Sequence, residues 1–300
     1  MAARVMQYTS ASAFRQALEQ RLLTQSRESG MSLSWLRKRI AFDRLLARLA
    51  VVSVNRWVLK GALALEYRLG PSGRTTKDAD LVRQDDETQA TTDFLAVQAL
   101  DLNDHFTLAI ERISALELPE PAALRYRVRV ELAGRQFEEV FVDVGFVDPL
   151  RWPPDLVTGS DVLGFAGIAP VRVPVLAIEQ HVAEKVHAYT RRYAGDEPSS
   201  RPKDLVDILL VQAFIPLDAR RLHEALEIIF AARALQPVPR NLPPPPSDWQ
   251  PAYRRLARTV GVPDQLDAGY TLAQRLLDPV LAGLAQGHWD TGQCRWINPK

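Results

Sequence analysis

The 300-residue sequence predicts an α+β fold in which a mixed-sheet domain precedes a helical domain. Residues 106–147 contain three strand-like stretches, and a tight connection at Gly134 joins the last two as a hairpin. After Pro174 the sequence instead shows successive segments with apolar residues at helical spacing. Because strands cluster first and helices follow, we place two domains at residues 1–173 and 174–300.

The chain opens with two predicted amphipathic helices, at residues 10–28 and 32–52. In the first, Phe14, Leu18 and Leu22 recur at helical spacing and would face a core. The remaining elements predicted in the first domain are a short strand or helix end at 57–59, a helix at 63–69, a strand ending at 82, a helix at 85–100, and strands at 106–113, 124–132 and 138–147.

The second domain is predicted to contain helices at residues 176–193, 203–214, 218–234 and 270–285. Between the last two, residues 241–246 include four consecutive prolines. Proline has no backbone donor and a restricted φ, so this segment predicts an extended linker or surface strap.

Composition and charge exclude several classes of protein. Hydrophobic residues make up 47% and charged residues 24%, and the net charge is +1. RNA binding would therefore depend on a local basic surface. The single cysteine, Cys294, excludes an internal disulfide and a thiolate zinc site. No signal peptide or apolar run of about twenty residues is apparent, so we expect a cytoplasmic protein without a membrane partner.

The most informative motif is the pair Asp78 and Asp80. On a strand these side chains point to the same face, while Ala79 and Leu81 point to the other. Two neighbouring carboxylates repel each other, and a divalent cation such as Mg²⁺ relieves the repulsion. The alternative is that both aspartates are exposed turn residues at the end of a strand.

A third acid, Asp143, stands alone in an apolar strand. A buried carboxylate without a partner is costly, so this residue needs a partner. The alternative is that it points outward or caps a loop near Gly145.

The second domain supplies further charged candidates. Lys185 lies on a helix beside an apolar stripe and could contact phosphate as a point charge. Asp204 lies in the first turn of the next helix, and Asp207 follows on the same face. The alternatives are a surface lysine paired with Glu179 or Glu184, and a purely capping role for Asp204.

These motifs, in this order, resemble the nucleotidyltransferase superfamily of DNA polymerase beta, and more closely its AbiEii and MenT-type toxins. The family pattern reads K-G-G-[ST]-A-L, R-x-T-x-D-x-D, then E-K-h-x-A and R-x-K-D-h-x-D. The matching residues span roughly positions 55–215 of this chain. The resemblance implies a nucleotidyltransferase-like sheet domain.

The resemblance also implies a function. The expected reaction is Mg²⁺- or Mn²⁺-dependent transfer of a nucleoside monophosphate from an NTP to RNA, with the 3′ end of tRNA as the expected acceptor and a cognate antitoxin as partner. The implied catalytic residues are Asp78, Asp80, Asp143, Lys185 and Asp204. The implied metal ligands are Asp78, Asp80 and Asp143. The implied nucleotide contacts are Lys60, Gly61, Arg74 and Lys185.

One departure from the family pattern keeps two alternatives open. Where the family turn has a hydroxyl residue, this chain has Ala62 and Leu63. The fold could therefore serve as a non-catalytic nucleotide-binding module. The same three acids would also suit an adenylyltransferase that modifies a small molecule or a protein.

Overall fold

The computed structural model describes residues 6–113, 123–146, 151–193, 197–233 and 236–298. The chain forms two compact units. The first takes in the chain up to Arg68 and from Thr75 to Val175, and the second comprises Leu69–Arg74 and the chain from Leu176 onward. The predicted α+β class is confirmed. Within the described ranges, no helix is both long and apolar enough to cross a membrane.

The first unit contains four helices and one sheet among its described residues. The helices are α1 (Ala11–Ser29), α2 (Leu33–Val52), α3 (Gly61–Leu69) and α4 (Glu87–Ala99). The strands are β1 (Val58–Lys60), β2 (Asp78–Arg83), β3 (Phe106–Ile113), β4 (Ala123–Leu132), β5 (Arg135–Phe146), β6 (Asp155–Thr158) and β7 (Arg172–Val175).

The strands form a mixed sheet in the order β3-β4-β5-β2-β1-β7-β6. β2 runs parallel to β5 and antiparallel to β1, and β1 runs parallel to β7. The other neighbouring pairs are antiparallel. This order puts β2 and β5, which carry the candidate acids, side by side near the middle of the sheet.

Strand alternation separates a core face from a charged face. In β4, Val128, Val130 and Leu132 are fully buried. Helices α1, α2 and α4 of the same unit pack against the sheet. Arg127 and Arg129 alternate with the valines and carry their charges on the opposite face. The predicted alternation of this strand is confirmed.

The second unit is mainly helical. Its helices are α5 (Ile178–Thr190), α6 (Pro202–Phe214), α7 (Ala219–Arg233), α8 (Gln250–Val260) and α9 (Leu266–Leu281). Two short hairpins accompany them, formed by β8 (Arg192–Tyr193) with β9 (Glu197–Pro198) and by β10 (His288–Asp290) with β11 (Arg295–Ile297).

Several predicted boundaries differ from the structure. The helix predicted to reach residue 193 ends at Thr190, because Arg192 and Tyr193 instead pair with β9. The last predicted helix, 270–285, begins and ends four residues earlier, as α9. Strands β6, β7, β10 and β11 were not predicted, since segments of three or four residues are too short to show a period. The 11-residue helix α8 was also not predicted. The predicted ends at residues 147 and 234 lie outside the described residues.

The proline-rich segment is a strap held by its neighbours within the second unit. Leu242 is 1% exposed, and its amide donates to Oδ1 of Asp278 at 2.8 Å. The hydroxyls of Tyr270 and Tyr189 donate to the carbonyl oxygens of Leu242 and Pro243 at 2.7 and 2.8 Å. These bonds satisfy backbone groups that an extended segment cannot pair by itself.

Candidate active site

Three carboxylates lie on the charged face of the sheet in the first unit. Within β2, Ala79 and Leu81 are 0% and 1% exposed, whereas Asp78 and Asp80 alternate with them and point away from the core. The parallel ladder places Asp143 of β5 directly beside Asp80. Strand alternation and the β2–β5 register together therefore gather the three acids that the sequence analysis selected.

The turn before α3 brings backbone close to Asp80. Lys60 pairs with Asp80 across the β1–β2 ladder, and the next residue, Gly61, begins α3. Gly61 has a φ of +68°, and a Cβ atom built on it would lie 2.0 Å from Oδ2 of Asp80. Only glycine combines this left-handed backbone with room for the carboxylate. Asp80 consequently lies against the N-terminus of α3, where the helix dipole favours a negative charge.

We expect Gly61→Ala to destabilise the protein and to displace Asp80. The positive φ alone costs about 1 to 3 kcal/mol for a residue with a side chain, and the clash adds to it. Gly134→Ala is the matched control, because Gly134 has a φ of +65° and nothing within 4 Å of an added Cβ. Denaturant unfolding of both variants should show the larger loss for Gly61→Ala. Equal losses would mean that Asp80 accommodates the methyl group.

The structure adds a residue that the sequence analysis did not select. Arg125 of β4 joins two of the acids: its Nη2 is 3.4 Å from Oδ1 of Asp78, and its Nε is 3.1 Å from Oδ1 of Asp143. Strand alternation could have indicated that Arg125 shares the outward face with Arg127. It could not have indicated which acid Arg125 meets.

That pairing depends on a bulge in the β4–β5 hairpin. The register shifts by one residue between Val130 and Glu131, and Arg125 therefore pairs with Asp143. Without the shift, counting back from the turn would place Arg125 opposite Val142, which faces the core. A one-residue slip moves every side chain to the other face of a strand.

The surroundings of Asp143 raise the pKa of this carboxyl group. Burial is the largest influence that raises its pKa. Arg125 lowers the pKa, Asp80 and Asp78 raise it, and the pKa reaches about 6 instead of 3.8. Burial, supported by the two neighbouring carboxylates, therefore outweighs the guanidinium and favours the protonated form of Asp143.

Lowering the pH from about 7.5 to 5 in EDTA should stabilise the protein through Asp143. Its folded-state pKa, about 6, lies above the ordinary value of 3.8, so folding favours the protonated form. The stabilisation is complete below pH 3.8 and is lost as the pH rises through 6. With solvent screening, we expect it to amount to about 1 to 2 kcal/mol. The test is to measure the free energy of unfolding of wild type and of Asp143→Asn as a function of pH. If this free energy changes with pH equally in both proteins, the prediction is contradicted.

Thr76 holds the backbone at the start of β2. Its hydroxyl donates to the carbonyl oxygen of Asp78 at 3.1 Å, and the amide of Asp78 approaches the same hydroxyl at 3.4 Å. Threonine hydroxyls stabilise local turns in this way. The family pattern includes this threonine, but the sequence alone did not indicate its role.

The second unit contains a buried ion cluster. Nζ of Lys185 in α5 donates to Oδ1 of Asp204 at 3.1 Å and to Oδ2 of Asp207 at 2.7 Å. These three residues are 9%, 0% and 1% exposed. The two acids lie one turn apart on α6, so both reach one ammonium group. The alternative interpretation of Lys185 as a surface lysine paired with Glu179 or Glu184 is therefore wrong.

Two arginines complete this cluster. Arg74 donates to both carboxylate oxygens of Asp207, at 3.0 and 3.3 Å, and Arg201 donates to Oδ2 of Asp204 at 2.6 Å. Asp204 thus binds two cations, and its role is not limited to capping α6. In the described contacts, Lys185, Arg74 and Arg201 thus meet the carboxylates of Asp204 and Asp207.

The charges inside the cluster hold each other ionised. Burial alone lowers the pKa of Lys185, but Asp207 and Asp204 outweigh burial and raise it to about 12. Burial raises the pKa of Asp207, but Lys185 and Arg74 outweigh burial and lower it to about 2. The cluster therefore remains charged across the physiological pH range.

The positions that depart from the family turn are part of the core. Ala62 and Leu63 are 7% and 1% exposed, and Leu63 belongs to the hydrophobic core of the first unit. Leu63→Ser would leave a cavity and bury a hydroxyl, which confuses any test of nucleotide binding. Ala62→Ser adds a hydroxyl to the turn with a much smaller change in volume.

Comparison with known proteins connects this geometry to a family. The family model described as "Nucleotidyl transferase AbiEii toxin, Type IV TA system" matches residues 44–276. Among solved structures, the chain is similar to MenT4, a nucleotidyltransferase toxin of Mycobacterium tuberculosis H37Rv. The TM-score is 0.53 and the identity 19%, over 88% of this chain and 98% of that chain.

JHP933 from Helicobacter pylori is a second similar structure, with a TM-score of 0.46 and 13% identity over 84% of this chain and 94% of that chain. No curated protein sequence matches. At 19% identity the similarity to MenT4 indicates a shared fold alone, whereas the family model covers most of the chain, including both groups of motif residues. The chain therefore belongs to the AbiEii family of nucleotidyltransferase toxins from type IV toxin–antitoxin systems.

Proposed function

We propose that this chain transfers a nucleoside monophosphate from an NTP to the 3′ end of tRNA in a reaction that requires a divalent metal. The observation that carries the proposal is the gathering of Asp78, Asp80 and Asp143 on one face of the sheet, with Asp80 directly beside Asp143. Three adjacent carboxylates are costly for folding unless they serve a cation. Because tRNA and NTPs are cytoplasmic, we expect the chain to act in the cytoplasm.

The three acids suit Mg²⁺ or Mn²⁺ by their chemistry. They offer only oxygen donors, which hard divalent cations prefer. Burial, together with repulsion from Asp80 and Asp78, raises the pKa of Asp143 despite the nearby Arg125, and a bound cation would lower it. Among the described residues, no three His, Cys, Asp or Glu side chains are arranged so that they could hold a metal ion as they stand. We propose that Asp78, Asp80 and Asp143 draw together around the ion when it binds.

A bound divalent ion would polarise the phosphate and lower the pKa of the attacking hydroxyl. The chain's own contribution is to position the acids. The β2–β5 ladder fixes Asp143 beside Asp80, and Gly61 lets the Asp80 carboxylate approach the start of α3. Thr76 fixes the backbone of Asp78. These contacts hold the ligands on rigid elements, as a reactive geometry requires.

We propose Lys60, Gly61, Arg74 and Lys185 as nucleotide contacts. Lys60 pairs with Asp80 across the ladder and so shares its face of the sheet. Gly61 offers backbone amides at the N-terminus of α3, a common site for phosphate. Lys185 and Arg74 bind Asp207, and we propose that they would also attract a phosphate group, with Asp204 orienting Lys185.

The test is transfer from labelled nucleotides to tRNA. Each NTP, labelled on the α-phosphate, is incubated with tRNA and Mg²⁺, and the RNA is separated on a gel. We expect α-label but no γ-label on the RNA, because a nucleoside monophosphate is transferred and pyrophosphate leaves. Oxidising the terminal ribose with periodate should abolish labelling if the 3′ end is the acceptor. Asp78→Asn is the inactive control.

The alternatives predict different results in the same assay. Label on a small molecule or on a protein would instead support an adenylyltransferase. The absence of hydroxyls at Ala62 and Leu63 favours the third possibility, a non-catalytic nucleotide-binding module. In that case the protein would bind the nucleotide but would transfer no label to any acceptor. Ala62→Ser would then be the variant in which to look for restored transfer.

We expect production of the wild-type chain without an antitoxin to stop bacterial growth. Asp78→Asn should permit growth at the same level of protein, because that substitution removes a metal ligand and leaves the core unchanged. Growth curves with matched immunoblots test this. If both proteins slow growth equally, the effect results from overproduction and not from nucleotide transfer. Co-production of a cognate antitoxin should restore growth with the wild type.

A further inference from the structure

Arg125 occupies a position in the acidic cluster that a metal ion would also use. It contacts Oδ1 of Asp78 and Oδ1 of Asp143, at 3.4 and 3.1 Å. The Nε–Asp143 contact is close but lacks hydrogen-bond alignment, since both atoms are buried without a hydrogen-bond partner in the described structure. Electrostatic attraction therefore dominates the contact, and a better-aligned ligand could replace it.

A divalent ion and this guanidinium would compete for the same two carboxylates. Arg125 faces one oxygen atom of each acid, and an ion bound by Asp78 and Asp143 would lie close to the guanidinium, where the two cations repel each other. The side chains of Arg125 and Asp143 are 34% and 27% exposed, so the arginine has a path toward solvent. The guanidinium also lies 5.5 Å from the ring centroid of Phe141, which offers the displaced cation a second partner.

We infer that Arg125 is a displaceable internal counter-ion: it holds Asp78 and Asp143 in place without metal, competes with the divalent ion, and moves aside when the ion binds. This inference rests on the proposed metal role of the three acids. Without metal, Arg125 is a positioning residue for the ligands. Once displaced, it remains on the same face of the sheet, where phosphate is the substrate group that its charge suits.

The chain contains a closely matched control for this residue. Arg127 is the next outward-facing residue of β4, has the same 34% side-chain exposure, and lies 6.0 Å from the Phe141 ring. Its ion-pair partners are Glu111 and Glu139 and not the candidate ligands. A comparison of Arg125→Gln with Arg127→Gln thus separates competition with metal from a general loss of positive charge on the strand.

The experiment is calorimetric titration of the full chain with Mn²⁺, in the absence of nucleotide. If Arg125 competes with metal, Arg125→Gln should bind Mn²⁺ roughly three- to tenfold more tightly than wild type, the range expected for loss of one partly exposed ion pair. Arg127→Gln should remain within about twofold of wild type. Unchanged or weaker binding by Arg125→Gln would overturn the inference.

Thermal unfolding gives a second measurement that guards against misfolding. In EDTA, Arg125→Gln should melt below wild type, because the acids lose their counter-ion. Saturating Mn²⁺ should raise its melting temperature by more than it raises that of wild type. An equal rise in the two proteins would count against competition, even if the variant were less stable in EDTA.

Failure of the metal role and failure of this inference give different results. If wild type binds Mn²⁺ and Arg125→Gln binds it equally, the metal role stands and the competition is refuted. If neither protein binds Mn²⁺, both proposals fall. If only Arg125→Gln binds at accessible concentrations, both are supported, with Arg125 as the dominant barrier.

Discussion

Asp80→Asn should abolish nucleotide transfer while leaving the protein folded. The substitution keeps the shape of the side chain but removes the charge that lies beside Asp143 and against the start of α3. Loss of a metal ligand should lower the rate of transfer by about three orders of magnitude or more. Initial rates of α-label transfer to tRNA, at saturating Mg²⁺, measure the effect.

Two controls make this result specific. Glu139→Gln changes an acid on the same outward face of β5 that pairs with Arg129, and it should leave transfer nearly unchanged. Unfolding in EDTA should show Asp80→Asn to be at least as stable as wild type, since Asp80 raises the pKa of Asp143 by repulsion. Full activity in Asp80→Asn, or undiminished wild-type activity in excess EDTA, would refute the metal role.

Lys185→Ala should destabilise the protein by about 3 kcal/mol, because it leaves Asp204 and Asp207 buried without their shared cation. From the sequence, an exposed lysine with little effect on stability would have been expected. The structure reverses that expectation, since Lys185 is only 9% exposed. Chemical denaturation measures the loss, and transfer per folded molecule should be measured beside it.

Arg201→Ala is the control for the Lys185 substitution. Arg201 binds the same Asp204, but its side chain is 37% exposed and solvent screens the pair. We expect a loss below about 1 kcal/mol. In Lys185→Ala/Asp207→Asn, removing one of the two acids that have lost the lysine should recover part of the stability. If Lys185→Ala proves as stable as wild type, Arg74 and Arg201 suffice to neutralise both acids.

The order of the motifs was enough to predict the family, because D-x-D, Asp143, Lys185 and Asp204 occur in the sequence in the family's order. Long elements were also predictable, since α1 and α2 contain enough residues for an apolar period to appear. Short elements were not. Four-residue strands such as Arg172–Val175 depend on a neighbouring strand for their existence, and no local pattern identifies the neighbour.

The sequence by itself determined which acids share a face in β2, because strand alternation is a local property of the backbone. The sequence also shows that Gly61 begins the turn before α3. It did not indicate that the Asp80 carboxylate fills the space that a side chain at position 61 would need. Only the tertiary structure decided that Arg125 meets Asp143 and that Lys185 is buried between two acids. Both facts depend on long-range register and packing. A single bulge or a change of helix packing alters them without changing any local preference.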